Sequence, residues 1–187
     1  HVVKGLKRAG WGVVMADENG NLVAGASGPV PAGLPQTSQA AEFSALTVAA
    51  MMLNGPSRIF SDCANVVKSW INSGEPHRSL KGMYGATVGE ARSADGAQHI
   101  SDVEWVKAHV TAQAAADTGG ADASAKAKGN DLADKAANQG RLLHEQPASE
   151  QARALKWEII HATASARVIA ATLPHWPRLQ RQAKRTK

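Results

Sequence analysis

Glu42, Asp62, His109 and Asp134 are the side chains whose types and surroundings could carry chemistry. Positions 42, 46, 49 and 53 fall on one helix face, and three of them are Leu46, Ala49 and Leu53. Glu42 extends that apolar stripe with a carboxylate, which needs a partner or a metal if it is buried. A place at the helix start, where the dipole favours an acid, explains it equally well. Asp62 closes the apolar run Ile59-Phe60 and precedes a helix. The carboxyl end of a strand is where open α/β sheets bind ligands, although Asp is also a preferred N-cap. Asp131 suits a helix N-terminus. Asp134 lies one turn deeper, among alanines, and is harder to account for in that way. His109 follows a strand and opens a loose segment, a place suited to a proton carrier or to product release. A lone histidine is more often structural or solvated.

The elements that must position these groups read as follows. Gly10 to Ala16 suits a strand, Asp17-Glu18-Asn19-Gly20 a hairpin turn, and Asn21 to Ala26 the returning strand. Gly28 to Pro35 is a loop. A helix capped by Thr37 or Ser38 runs to Leu53 and is stopped by Asn54-Gly55-Pro56. Arg58 to Ser61 is a short strand, Asn65 to Ile71 and Ser79 to Arg92 are helices, and Val103 to Lys107 is a strand. Thr111 to Lys128 has no large apolar anchor and is expected to be a mobile loop. Asn130 to Asn138 is helical, with Gly140 ending it. Alternation of this kind indicates an α/β domain with a mixed sheet. Beyond Pro147 the composition changes. Ser149 caps a long helix to about Thr172, with Leu155, Ile159, Ala162, Ala166, Ile169 and Leu173 on one face and Pro174 beyond it.

The 187 residues suit one domain, residues 1–140, and an appendage, residues 141–187. The formal net charge is +5, and Arg178, Arg181, Lys184, Arg185 and Lys187 supply that whole excess. The body is therefore neutral. The tail attracts phosphates or acidic protein surfaces, unless it is only a solvated end. No apolar run approaches the roughly 20 residues of a membrane span. His1 to Arg8 are basic and lack the apolar core of a signal peptide. Cys63 alone cannot form an internal disulfide, which suits a reducing, intracellular compartment, nucleus or organelle included. Gly5, Gly10 and Gly12 make neither a dinucleotide fingerprint nor a P-loop, and no Cys/His cluster suggests zinc.

Five local words stand in a telling order: Gly10-Trp11-Gly12-Val13-Val14, Ala41-Glu42-Phe43-Ser44-Ala45-Leu46, Ile59-Phe60-Ser61-Asp62, Trp105-Val106-Lys107-Ala108-His109 and Gly129-Asn130-Asp131-Leu132-Ala133-Asp134. Together, over residues 9 to 140, they resemble type 1 ribonuclease H, and within it the domain accompanying reverse transcriptases of non-LTR retroelements. The resemblance implies a mixed five-stranded sheet flanked by helices, and four carboxylates that bind two Mg²⁺ ions, with Mn²⁺ as a substitute. Glu42, Asp62 and Asp134 look like three of the four, and His109 like the loop histidine that assists turnover. Lys107, Asn130 and the tail residues Arg178, Arg181, Lys184 and Arg185 are expected at the nucleic acid. The family's first carboxylate is an Asp on a strand upstream of Gly-Trp-Gly, yet residues 1–16 contain no acid. Either that strand lies before His1 or it has degenerated. Two functions follow: an endonuclease cutting the RNA strand of RNA/DNA hybrids, or a degenerate module serving as a structural or RNA-binding part of a ribonucleoprotein. In the second, the C-terminal helix docks a protein partner.

Overall fold

In the computed structural model of the chain, the described residues are 7–72, 83–145 and 149–175. Residues 7–144 make one compact unit, and those from 145 onward belong to a second.

The first unit opens with a hairpin of strands β1 (Gly10–Ala16) and β2 (Leu22–Pro29), paired antiparallel with Val13 opposite Ala26. Its turn is locally encoded. Asp17 Oδ1 accepts the main-chain N–H groups of Asn19 and Asn21 at 2.9 and 2.8 Å. Gly20 supplies the left-handed conformation, φ +76°. Helix α1 (Ser38–Met52) starts at Thr37, whose hydroxyl accepts the Ala40 N–H at 3.2 Å. Strand β3 (Ser57–Ser61) follows, then helices α2 (Ala64–Asn72) and α3 (Gly85–Ser93) and strand β4 (Ile100–Trp105), which pairs parallel with β3. Parallel pairing requires a crossover, here made by α2 and α3. Phe43 of α1, Val66 and Trp70 of α2, Val88 of α3 and Val103 of β4 are buried together. Phe43 stacks on Tyr84 with ring centroids 4.5 Å apart.

The α/β class is as expected, with helices flanking a small sheet system. The described residues carry four strands in two two-stranded ladders; a fifth strand is not among them. The helix expected from Ser79 begins at Gly85, and residues 79–82 lie outside the described residues. The last strand is shifted toward its N-terminus and stops at Trp105, although the Val106 N–H still bonds the Ser61 carbonyl at 3.0 Å.

Two expectations are corrected at helix α4 (Ala112–Leu142). The segment Thr111 to Lys128 is not a loop. Thr111 caps the helix, its hydroxyl accepting the Ala114 N–H at 3.2 Å, and the many alanines sustain it. A break falls at Gly120, φ +70° and ψ −157°. Large anchors are unnecessary because the backbones lie close. A Cβ on Gly20 would come within 2.6 Å of the Ala125 carbonyl oxygen. Nor does Gly140 end the helix. It is buried inside it, where a Cβ would meet Gly28 N at 2.7 Å and Trp11 O at 2.8 Å. Glycine is required there for contact between helix and hairpin.

In the second unit, helix α5 (Ser149–Thr172) spans the expected range. Leu155 and Ile159 are half-buried, whereas Ala162, Ala166, Ile169 and Leu173 are exposed. Among the described residues no helix is long and apolar enough to cross a membrane.

Candidate carboxylate site

The site is built at the ends of two parallel strands. In β3, residues 57, 59 and 61 turn inward while Arg58 and Phe60 are exposed. That alternation buries the Ser61 side chain and carries the chain into a bend at Asp62. Trp105, paired with Ser61 at the end of β4, donates its indole N–H to the Asp62 carbonyl at 2.9 Å. The Asn130 amide of α4 donates to Asp62 Oδ2 at 3.4 Å. Glu42 comes from the first turn-and-a-half of α1, and its Oε2 accepts the Ser61 hydroxyl at 3.0 Å. Asp134 stands one turn after Asn130 on α4. Its Oδ2 lies 3.7 Å from Nδ1 of His109, an exposed residue in left-handed conformation, φ 54°.

Three acids thus share one electrostatic field. Burial pushes the Glu42 carboxyl up to about 7, the charges of Asp62 and Asp134 add to that, and the Ser61 hydrogen bond opposes it. The Asp134 carboxyl is also raised, first by burial and then by Asp62, with His109 working against the shift. Asp131 is accounted for separately by Lys135, 2.6 Å away on the next turn. Glu42, Asp62 and Asp134, named together from the sequence, lie near enough for the charges of Asp62 and Asp134 to act on Glu42. Among the described residues, no three His, Cys, Asp or Glu side chains converge well enough to hold one ion. The donors suit a hard divalent cation in kind, being anionic oxygens that repel one another. Cations of this class complete their shell with water and phosphate oxygens.

Asn130 lies beside Asp62, and Lys107 is exposed just beyond β4. Arg178, Arg181, Lys184 and Arg185 lie outside the described residues. A groove of about 450 Å³ runs between α1, α2 and α3, lined by Gln39, Asn65, Lys68, Ser69, Asn72 and Tyr84 among others. It is not the carboxylate site: Glu42, Ser61, Asp62 and Asp134 are not among its lining residues. Sequence reasoning passed over Ser61 and Trp105. The inward register of 57, 59 and 61 carried the signal for Ser61, because a hydroxyl turned toward a core must find a partner.

A family model described as RNase H matches residues 3–141. The chain belongs to the ribonuclease H family. No curated protein matches it. The family assignment makes this ribonuclease H domain nucleic-acid-directed, and members of the family generally use divalent metal ions. The matched stretch holds all four residues on which the sequence reading began: Glu42, Asp62, His109 and Asp134.

Proposed function

We propose that this ribonuclease H domain binds RNA/DNA hybrids and hydrolyses their RNA strand with divalent cations, Mg²⁺ first and Mn²⁺ as a substitute. The observation that carries the reading is the placement of Glu42 and Asp62 at the end of β3, Glu42 bonded to Ser61 and Asp62 to Asn130, with Asp134 one turn after Asn130 and near enough for its charge to act on the buried Glu42. A cation placed there relieves the repulsion that raises Glu42. Glu42, Asp62 and Asp134 would hold the ions. Bound divalent ions supply Lewis-acid activation of water and stabilisation of the leaving oxygen. The chain's own residues do the rest. Asn130 and Trp105 fix Asp62 from its side chain and its main chain. His109 faces solvent with Nδ1 toward Asp134, so that atom can pass a proton between the site and water. Asn65, Lys68 and Ser69 offer donors along the groove between α1, α2 and α3 for phosphates and 2′-hydroxyls, the features by which a hybrid is read by shape. Kinship with the domains of non-LTR retroelement reverse transcriptases belongs to the same proposal and is supported by the five sequence words.

A labelled hybrid tests the reading. The RNA strand is cut with Mg²⁺ and spared in chelator. Asp62→Asn lowers the rate by more than the ~100-fold typical of changes to groups around a metal's ligands. Absence of cleavage by the folded protein with its upstream strand included rejects it. A second reading has its own support: Ala162, Ala166 and Ile169, on the apolar face of α5, are exposed. The domain is then a binding module of a larger ribonucleoprotein, partnered through the C-terminal helix. Its mark is hybrid or RNA binding that survives both Glu42→Gln and Asp62→Asn, with no cleavage in any form.

A further inference from the structure

We infer that Ser61 is a positioning residue, whose hydroxyl occupies one oxygen of Glu42 and so fixes the other as the oxygen offered to a cation. The inference rests on the divalent-cation reading of the carboxylate site. Ser61 is 7% exposed. Its Oγ lies 3.1 Å from the Cys63 main-chain N–H, which donates to it, and 3.0 Å from Glu42 Oε2. A serine hydroxyl has one proton to give. With the Cys63 amide already donating to that oxygen, the proton is directed at Glu42.

The bond also ties two elements together. Residues 61 and 63 flank Asp62, so the bend that presents Asp62 is pinned on α1 through Glu42. Among the described residues, the Ser61 hydroxyl is the hydrogen-bond donor the Glu42 carboxylate has. Remove it, and repulsion from Asp62 and Asp134 is free to turn the carboxylate away. Side chains around a metal's ligands act in this manner, orienting a ligand they do not replace. Threonine keeps the hydroxyl and is well suited to a strand, whereas alanine removes it with little change in size.

Calorimetric titration of the full chain with Mn²⁺ tests this in three proteins: the wild type, Ser61→Ala and Ser61→Thr. Thermal melts establish that each is folded at the working temperature. The expected result is binding by the wild type, near-equal binding by Ser61→Thr, and affinity weakened about 10- to 100-fold in Ser61→Ala. Equal affinity of Ser61→Ala and wild type overturns the inference and leaves the cation site standing. Equal weakening of both variants overturns it too, because the restored hydroxyl restores nothing. A wild type that binds no Mn²⁺ removes the cation reading and this inference together.

Discussion

Glu42 binds its proton more tightly in the folded chain than in the unfolded one, so its effect on stability depends on pH. Its ordinary value is 4.5 and its folded value about 7. Between them the folded state holds a proton that the unfolded state has released. Stability from this group is thus fully present below pH 4.5. It is lost as pH rises toward 7, with a cumulative cost on the order of 3 kcal/mol. In chelator, Glu42→Gln should flatten that slope. Urea unfolding at pH 8 should find the variant more stable than wild type by roughly 1–3 kcal/mol, and at pH 5 the difference should largely vanish. Glu42 and Asp62 each had an ordinary explanation alone, a helix dipole or a cap, and the carboxylates were legible through their order among the five local words. Ser61 was not, because a serine finds partners in many ways and only the strand register shows that this one faces inward.

Local chemistry made some elements readable and hid another. The hairpin turn is written in Asp17 and Gly20, and the start of α1 in Thr37. Helix α4 was misread because its first half has no large side chain to advertise a buried face. What holds it is the close approach of small residues, which shows only once hairpin and helix are brought together. Its two special glycines should separate two kinds of cost. At Gly140 an added methyl meets Gly28 and Trp11 main-chain atoms. Gly140→Ala should therefore lose about 1–3 kcal/mol or more by overpacking, read from the urea midpoint. At Gly120 no atom lies within 4 Å of an added Cβ, but φ is +70°. Any loss in Gly120→Ala is backbone strain alone, of order 1–3 kcal/mol. Hydrogen exchange should place it in residues 112–119 and leave the Gly140 contact protected.

Charge acts at the scale of the whole molecule. The five cations from Arg178 to Lys187 equal the entire net charge of +5. If all five meet phosphates, a chain ending at residue 175 should bind hybrid with a salt dependence shallower by about 4.5 in log–log slope, since each neutralised phosphate contributes about 0.9. Unchanged slope assigns the tail to solvent. The fold class was legible from alternating helices and strands. The five-stranded sheet was not, because it came from resemblance and the described residues carry two separate ladders. The site stands apart: its acids were named from the sequence, and a cation shared among them is the proposal. Thermal unfolding at pH 8, in chelator and in saturating Mg²⁺, weighs that directly. A cation that binds only the folded site must raise the midpoint. The wild type should melt higher in Mg²⁺ and Asp62→Asn should not; a wild-type midpoint indifferent to Mg²⁺ contradicts a cation site at Glu42, Asp62 and Asp134.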